Sequence, residues 1–360
     1  MRIGMMTLWN AANGASIHAE LVGRAWVKQG HELKVFSAKK HPDGRPTSQP
    51  DENYVIRHFT VDEVTPFTKV SFFDPAPLLE EDYEVFVAQN VERLPVGRLL
   101  ELFPKVRKKA STINIVHEPY PPKDSLYYKF KWDAIVCFDH RYKEYLTKYF
   151  PEDIIHIIPY PYHPMVLGNK IEARKKLNLP LEKKILFSFG IRARCISLLP
   201  PVLREVNEKF PLRYVVVANP GSKVETLRRL TGEYEFMDLR IESIPLNEAY
   251  TYLHAADAHL IHRQLSNKNS IVVSSTIFQT LGSGCPILFN DSKYVELQGD
   301  EVTKYSDEED LKAKLAEILQ NGFNISKVER LLSRQSSDVI AEKFIQLFKR
   351  TRAVHHFSGA

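Results

Sequence analysis

Cationic side chains follow apolar runs of this sequence, at positions where they could bind a phosphate or another anion. Arg192 and Arg194 come shortly after one such run, and Arg263 comes directly after another. Guanidinium groups bind phosphate oxygens through paired hydrogen bonds, so this pattern predicts contacts to a diphosphate. Lys268 lies in the polar segment that follows Arg263 and is the weaker candidate. A solvated surface position is the alternative for each of the four.

Hydroxyl and amide side chains form a second candidate group. Ser274, Ser275 and Thr276 open a predicted helix, and Gln279 follows one turn later. Serine and threonine are common helix caps, and the first N–H groups of a helix also attract phosphate, so both roles are compatible here. The amide of Gln279 could bond sugar hydroxyls.

Three further candidates lie in the first half of the chain. His117 ends the apolar run 112–116, and Glu118 would point to the opposite side of an extended chain. A neutral imidazole can bond a sugar hydroxyl without burying a charge, and a carboxyl group could act as an acid or base. Gly14 lies in a turn before a predicted helix, where a missing Cβ would let backbone N–H groups approach a diphosphate. Structural roles are the alternative for all three.

The elements that position these residues follow a regular alternation. Short β-type runs alternate with amphipathic stretches, which predicts parallel sheets covered by helices on both faces. Predicted strands that matter for the site are 2–7, 84–88, 112–116, 184–188, 258–262 and 286–289. In such sheets ligands bind at the carboxyl ends of the strands.

The segment 159–164 holds three prolines in six residues and is the predicted linker. The sequence therefore predicts an α/β protein with two doubly wound, Rossmann-like domains that face each other across a cleft. We expect an N-terminal domain at 1–160 and a second domain at 161–340. A C-terminal helix at 341–360 could cross back to the first domain.

Composition excludes several classes of protein. A net charge of +5 over 360 residues, with basic residues in short runs only, does not favour nucleic-acid binding. The run 105–109 could dock on an anionic membrane, although packing of its helix on the sheet is favoured. Three separated cysteines without a Cys-x-x-Cys pair exclude a disulfide framework and fit a reduced, cytoplasmic setting.

Common nucleotide and metal motifs are missing. There is no G-x-x-x-x-G-K-[ST], and no G-x-G-x-x-G follows the first strand, which disfavours a P-loop NTPase and a nicotinamide dehydrogenase. No D-x-D motif occurs, and His259 and His262 would point to opposite faces of a strand. No metal site is therefore predicted.

Five segments, in order, resemble the GT-B glycosyltransferases of the family 4 type. They are the glycine turn and helix that lead into Gly-His-Glu-Leu-Lys-Val at 30–35, the strand-ending Ile-Val-His-Glu at 115–118, the Ile-Ile-Pro at 157–159 with the charged segment 172–179, the helix and strand at 246–258, and Thr-Leu-Gly-Ser-Gly-Cys-Pro-Ile at 280–287. Together they cover nearly the whole chain.

The resemblance implies a retaining enzyme that moves a hexose from a UDP- or GDP-sugar to an acceptor hydroxyl, with the acceptor bound by the domain at 1–160 and the donor by the domain at 161–340. No metal or other cofactor is needed if the cationic side chains stabilise the departing diphosphate. It matches His117 to a histidine that contacts the donor sugar, and leaves the acceptor open among a sugar, a glycan and a lipid-linked group. The family's E-x7-E pair falls on Ile271 and Gln279, and its second-domain Arg and Lys fall on Ile191 and Ile196. Arg192 and Arg194 could substitute for that charge.

Two alternatives stay open on the same architecture. A sugar phosphorylase or a nucleotide-sugar epimerase would use inorganic phosphate or a single sugar substrate. A non-catalytic nucleotide-sugar-binding protein is suggested by the missing acidic pair.

Overall fold

The computed structural model describes residues 1–11, 13–39, 50–61, 72–190, 193–220, 224–263 and 271–358. The chain divides into two compact units. The first comprises Met1–Pro161, Asn269–Ile271 and Gln335–Ala360, and the second comprises Tyr162–Lys268 and Val272–Arg334.

The first unit is built on a seven-stranded sheet whose paired strands are all parallel. Its strands are β1 (Arg2–Thr7), β2 (Glu32–Ala38), β3 (Val55–Phe59), β4 (Val85–Gln89), β5 (Ser111–Ile115), β6 (Ala134–Cys137) and β7 (Ile155–Ile157), in the order β3-β2-β1-β4-β5-β6-β7. Their apolar runs are buried because helices cover the sheet. The order reverses between β1 and β4, and such a switch point is where ligands of these sheets bind.

In the described part of this unit, the strands are connected by the α-helices α1 (Gly14–Lys28), α2 (Ala76–Glu80), α3 (Val96–Lys109) and α4 (His140–Leu146). Helix α1 begins where the side chain of Asn13 accepts a hydrogen bond of 3.0 Å from the backbone N–H of Ser16. This cap satisfies one of the free N–H groups of the first turn. It also fixes the start of α1 after β1.

Helix α3 carries the basic run 105–109 and packs its apolar side on its own unit. Phe103 is buried against Phe130 and Trp132, with ring centroids 5.0 and 4.7 Å away. The Nζ of Lys109 donates to two backbone carbonyls. The favoured interpretation of this run, packing on the sheet, agrees with these contacts. Across the described ranges, no helix is long and apolar enough to cross a membrane.

The second unit has a six-stranded sheet, again with only parallel pairs. Its strands are β8 (Lys184–Phe189), β9 (Leu212–Ala218), β10 (Met237–Ile241), β11 (Ala258–Ile261), β12 (Ile287–Asn290) and β13 (Thr303–Tyr305), in the order β10-β9-β8-β11-β12-β13. Its helices are α5 (Lys170–Lys176), α6 (Ala193–Ile196), α7 (Leu199–Lys209), α8 (Val224–Glu233), α9 (Leu246–Ala255), α10 (Ser275–Thr280), α11 (Glu308–Asn321) and α12 (Ser326–Gln335). Here the order reverses between β8 and β11.

The last helix, α13 (Ser337–Ser358), belongs to the first unit. It packs on α1, where the indole N–H of Trp26 donates to the backbone carbonyl of Ala341 at 3.2 Å. Phe344 and Phe348 lie against the same indole. The predicted fold class, two doubly wound α/β domains with parallel sheets, is confirmed.

Candidate functional site

Two imidazoles share one amide oxygen at the switch point of the first sheet. The Oε1 of Gln89 lies 2.8 Å from Nδ1 of His18 and 3.1 Å from Nε2 of His117. Gln89 ends β4, His117 follows β5, and His18 lies in the second turn of α1. The Nε2 of Gln89 donates to the sulfur of Met5 at 3.2 Å, which orients the amide oxygen toward the two rings.

This arrangement determines which ring nitrogens carry protons. An amide oxygen only accepts, so His18 must be protonated on Nδ1 and His117 on Nε2. His18 is fully buried, and its Nε2 has no hydrogen-bond partner in the described part of the chain. A buried lone pair without a partner is more common than a buried N–H without one, which favours the same tautomer. Nδ1 of the half-buried His117 is then an acceptor that suits a sugar hydroxyl.

Burial keeps both imidazoles uncharged near neutral pH. It lowers the pKa of His18 to about 3. It also lowers the pKa of His117 well below its ordinary value, with a smaller contribution from His18. The two rings meet edge to face at 5.1 Å, and Phe138 and Tyr160 lie 5.1 and 4.9 Å from His18. An imidazolium in this aromatic environment would lose its hydration without forming a compensating ion pair.

Gly14 lies at the same end of the sheet, as the first residue of α1. Its backbone carbonyl accepts a hydrogen bond of 2.7 Å from the hydroxyl of Tyr160, whose ring packs on His18. The structure therefore brings Gly14 and His117 into one connected group, with Tyr160 and His18 between them.

Glu118 follows His117 in sequence but contacts different residues. Its Oε1 accepts from the backbone N–H of Glu92 at 3.1 Å, and its Oε2 from that of His117 at 3.0 Å. The hydroxyl of Tyr127 donates to Oε2 at 3.4 Å. Burial raises the pKa of Glu118 to about 7, although these N–H groups act against that rise. Its carboxylate supports the backbone of the loop that carries His117.

A guanidinium group occupies the corresponding position in the second sheet. Arg263 lies two residues beyond β11, and Gly190 directly follows the neighbouring strand β8. The Nη2 of Arg263 donates to the hydroxyl of Thr276 at 2.7 Å and to the carbonyl of Gly190 at 3.4 Å. Gly190 has a φ of +62°, a left-handed conformation in which a Cβ is strained. Arg263 thus connects the ends of two central strands with the first turn of α10.

The side chain of Asn290 fixes the backbone of Arg263. Its Oδ1 accepts from the N–H of Arg263 at 2.7 Å, and its Nδ2 donates to the carbonyl of Arg263 at 3.0 Å. Asn290 ends β12, the next strand of the sheet. This two-point contact holds Arg263 at the switch point independently of the guanidinium contacts.

The start of α10 carries the predicted hydroxyl and amide residues, of which Thr276 contacts Arg263. Ser274 is the N-cap residue and is buried, and its hydroxyl has no hydrogen-bond partner within the ranges described. Ser275 opens the helix and is half-buried. Gln279 accepts a hydrogen bond of 2.9 Å from Tyr250 through its backbone carbonyl. Thr276, bound to Arg263, is the member of this group whose side chain directly joins the cluster.

Three of the predicted cationic residues lie where the structure describes no side chain. Arg192 and Lys268 lie outside the described residues. Arg194 lies in the short helix α6, where the structure describes its backbone and not its side chain. Their predicted contacts to a diphosphate stay predictions.

The two histidines near β11 bind different partners. Nδ1 of His259 lies 3.0 Å from the carbonyl of Phe187, and Nδ1 of His262 lies 2.9 Å from the hydroxyl of Tyr305. In the portion of the chain described, no three His, Cys, Asp or Glu side chains form a group that could hold a metal ion.

Sequence reasoning missed His18, Gln89 and Asn290. Gln89 and Asn290 each come one residue after a predicted strand, at the same kind of position that singled out His117 and Arg263. Applying that rule to every strand would have found both. His18 gives no such signal, because it lies within an amphipathic helix.

No protein-family model matches the chain. It is similar in structure to a glycosyltransferase from Rickettsia africae, with 13% identity, a TM-score of 0.68 and coverage of 97% of this chain and 98% of that one. It is similar to the pneumococcal O-GlcNAc transferase in complex with UDP and GlcNAc, with 11% identity, a TM-score of 0.64 and coverage of 98% and 99%. A trehalose-6-phosphate synthase studied for glycosyl transfer with retention shares 11% identity at a TM-score of 0.60, with coverage of 97% and 99%.

These likenesses extend over nearly the full length of each chain. At such low identity they show the fold alone, and that fold is the GT-B architecture of two Rossmann-like domains. The resemblance read from the sequence is confirmed at this level.

Proposed function

We propose that the protein is a retaining, metal-independent glycosyltransferase that moves a hexose from a UDP- or GDP-sugar to an acceptor hydroxyl. The observation that carries the proposal is the Arg263–Thr276 cluster at the switch point of the second GT-B domain. A guanidinium beside a hydroxyl at the carboxyl end of a parallel sheet suits a diphosphate. The similar pneumococcal transferase holds UDP and GlcNAc, which supports a nucleotide-sugar donor.

In the proposed reaction the bond between the anomeric carbon and the leaving phosphate oxygen breaks, and a bond from that carbon to the acceptor oxygen forms. The acceptor proton passes to the departing diphosphate. Arg263 stabilises the charge that develops on this leaving group. Arg192, Arg194 and Lys268 are proposed to add to that charge, which is why no metal is invoked.

The remaining candidates are proposed to bind the donor. Ser274, Ser275 and Thr276 contact phosphate oxygens, Gln279 bonds the ribose hydroxyls, and Gly14 lets the backbone approach the diphosphate. Nδ1 of His117 accepts a hydrogen bond from a hydroxyl of the transferred sugar, which requires the neutral ring described above. An acid or base role for Glu118, expected from the sequence, is the alternative to the supporting role that its backbone contacts favour. Retention is supported by the similar synthase studied for that stereochemistry.

The first experiment is calorimetry of the protein with UDP, GDP and ADP, followed by an assay for nucleotide release from the corresponding sugar donors. Binding of UDP or GDP, with release that depends on an added acceptor hydroxyl, is the expected result. If no nucleoside diphosphate binds, the donor assignment is wrong. Release that requires inorganic phosphate instead of an acceptor would favour a phosphorylase.

A non-catalytic binding protein is the second candidate, because Ile271 and Gln279 occupy the positions of the acidic pair. His117→Ala distinguishes the two. In an enzyme this variant should bind UDP as the parent does and turn over about a hundredfold more slowly, since it loses a contact to the reacting sugar. Wild-type protein that binds nucleotide sugars and releases nothing with any acceptor would favour the binding protein.

A further inference from the structure

A second concave surface of the first unit lies along the edge strand β7. A cavity of about 480 Å³ is lined by residues 155–158, by Lys143 of α4 and by one side of α13. Its volume is within the range of small-molecule sites, about 300–1,000 Å³. Within the described residues, none of those proposed above to bind the donor or the transferred sugar lines it.

The lining is strongly basic. Of the nine described residues that line it, four are cationic or titratable bases, namely Lys143, His156, Lys343 and Arg350, and none is acidic. Lys343 and Arg350 are seven positions apart on α13 and so share one side of that helix. Neither forms an ion pair with a carboxylate of the described residues. Both side chains are exposed and can reach a ligand in the cavity.

The other two bases, Lys143 and His156, line the same cavity. Lys143 pairs with Glu152 at 2.8 Å, but Glu152 is 71% exposed, and a surface pair of this kind contributes little. The pKa of His156 is lowered first by burial and then by the positive charges of Arg350 and Lys143. Positive groups from two separate elements, α13 and α4, therefore act on one imidazole, and the opposing effect of Asp153 is smaller. Their mutual repulsion costs free energy that a bound anion would offset.

The floor of the cavity is apolar. Ile155, Ile158 and Leu347 are buried there, and Gln346 adds an amide at the rim. A hydrated inorganic ion would gain nothing from such a floor, whereas an anion carried on a carbon skeleton would. We propose that this cavity is a binding site for a phosphate-bearing organic ligand, separate from the donor site and independent of the proposed glycosyl transfer.

Residues next to two of the lining elements, β7 and α13, also contact His18. Tyr160, which follows β7, packs on His18 at 4.9 Å. Phe344, next to Lys343 on α13, lies 5.9 Å from the same ring. Because both elements are shared, ligand in the cavity should change the environment of His18.

Two phosphate-bearing probes, one soluble and one in a membrane, distinguish a soluble ligand from a lipid. Binding of glycerol 3-phosphate is measured by calorimetry at constant ionic strength, and binding to phosphatidylglycerol vesicles by co-sedimentation, with phosphatidylcholine vesicles as the blank. The test variant is K343E/R350E. The matched control is Lys349→Glu, an exposed charge reversal on the same helix outside the cavity lining. Arg263→Ala controls for binding at the proposed donor site.

We expect one probe to bind the parent protein. It should bind K343E/R350E at least about tenfold more weakly, because loss of one charge-assisted contact is worth about that factor. Lys349→Glu and Arg263→Ala should bind it as the parent does, and the histidine NMR signal of His18 should shift on binding. Binding of the vesicles alone identifies a lipid headgroup as the source of the phosphate. Failure of both probes, an unchanged double variant, an equal loss in Lys349→Glu, or a loss in Arg263→Ala would each overturn the proposal. Unchanged thermal melting of the double variant verifies its fold.

Discussion

The two switch points of this molecule have the same topology and opposite chemistry. In the first sheet, two uncharged imidazoles bond to one amide oxygen in aromatic surroundings. In the second, a guanidinium bonds to a hydroxyl and a carbonyl, with a buried serine hydroxyl at the start of the adjacent helix. The sheet order decides where a ligand binds, and the side chains after the strands decide what binds. We infer that the first site contacts neutral sugar hydroxyls and the second an anionic diphosphate.

Removing the guanidinium should have the largest effect. Arg263→Ala is expected to weaken UDP binding about a hundredfold, because it removes a charge-assisted contact of about 2–3 kcal/mol to phosphate. Arg263→Lys keeps the charge without the forked geometry, so its UDP affinity should lie between those of the parent and Arg263→Ala. Calorimetry measures UDP binding to the parent, Arg263→Ala and Arg263→Lys. His117→Ala is the control, and its UDP affinity should equal that of the parent. If Arg263→Ala binds UDP within threefold of the parent, the second site is not the anion site.

The neutrality of the first site can be tested through stability. His18 titrates with a pKa of about 3 when folded and about 6.5 when unfolded, so its contribution is present above pH 6.5 and is lost as the pH falls. Between pH 7.5 and pH 5 this should lower the free energy of unfolding by about 2 kcal/mol. His18→Phe keeps an aromatic ring and removes the titration. Urea unfolding at the two pH values should show a smaller loss in the variant, and an equal loss would mean that His18 is already charged.

The fold was predictable because its signals are local. Buried runs that alternate with amphipathic helices specify parallel sheets, and a polar residue after such a run marks the carboxyl end of the sheet, as at His117 and Arg263. The site itself depends on contacts between distant segments. The oxygen shared by the imidazoles joins residues 71 and 28 positions apart, and Asn290 bonds a residue 27 positions away. No local periodicity encodes such pairings, so the roles of Gln89 and Asn290 required the structure.

The shared oxygen gives a more selective test of the first site. Gln89→Leu removes the acceptor that selects the tautomer of His117. Turnover should fall about tenfold at every pH, because the free energy of about one hydrogen bond corresponds to that factor. Gln89→Glu instead attracts a proton to His117, so its turnover should be low at neutral pH and recover at higher pH. Nitrogen NMR of the histidine rings reports the tautomer directly. UDP affinity should be unchanged in both variants, and a tautomer unchanged in Gln89→Leu would contradict this role of Gln89.

Glu118→Gln should have the smallest effect on turnover, no more than about threefold, because the carboxylate of Glu118 bonds backbone N–H groups. Its effect should appear in stability. Burial raises the folded pKa of Glu118 to about 7, so its contribution is complete below the unfolded value and is lost as the pH rises through 7. Gln does not titrate, so the variant should lose less stability between pH 5 and pH 8, measured by urea unfolding. If Glu118→Gln instead slowed turnover as much as His117→Ala, with the tautomer of His117 intact, the first switch point would supply a charged group to the reaction. The chemical contrast between the first and the second switch point would then disappear.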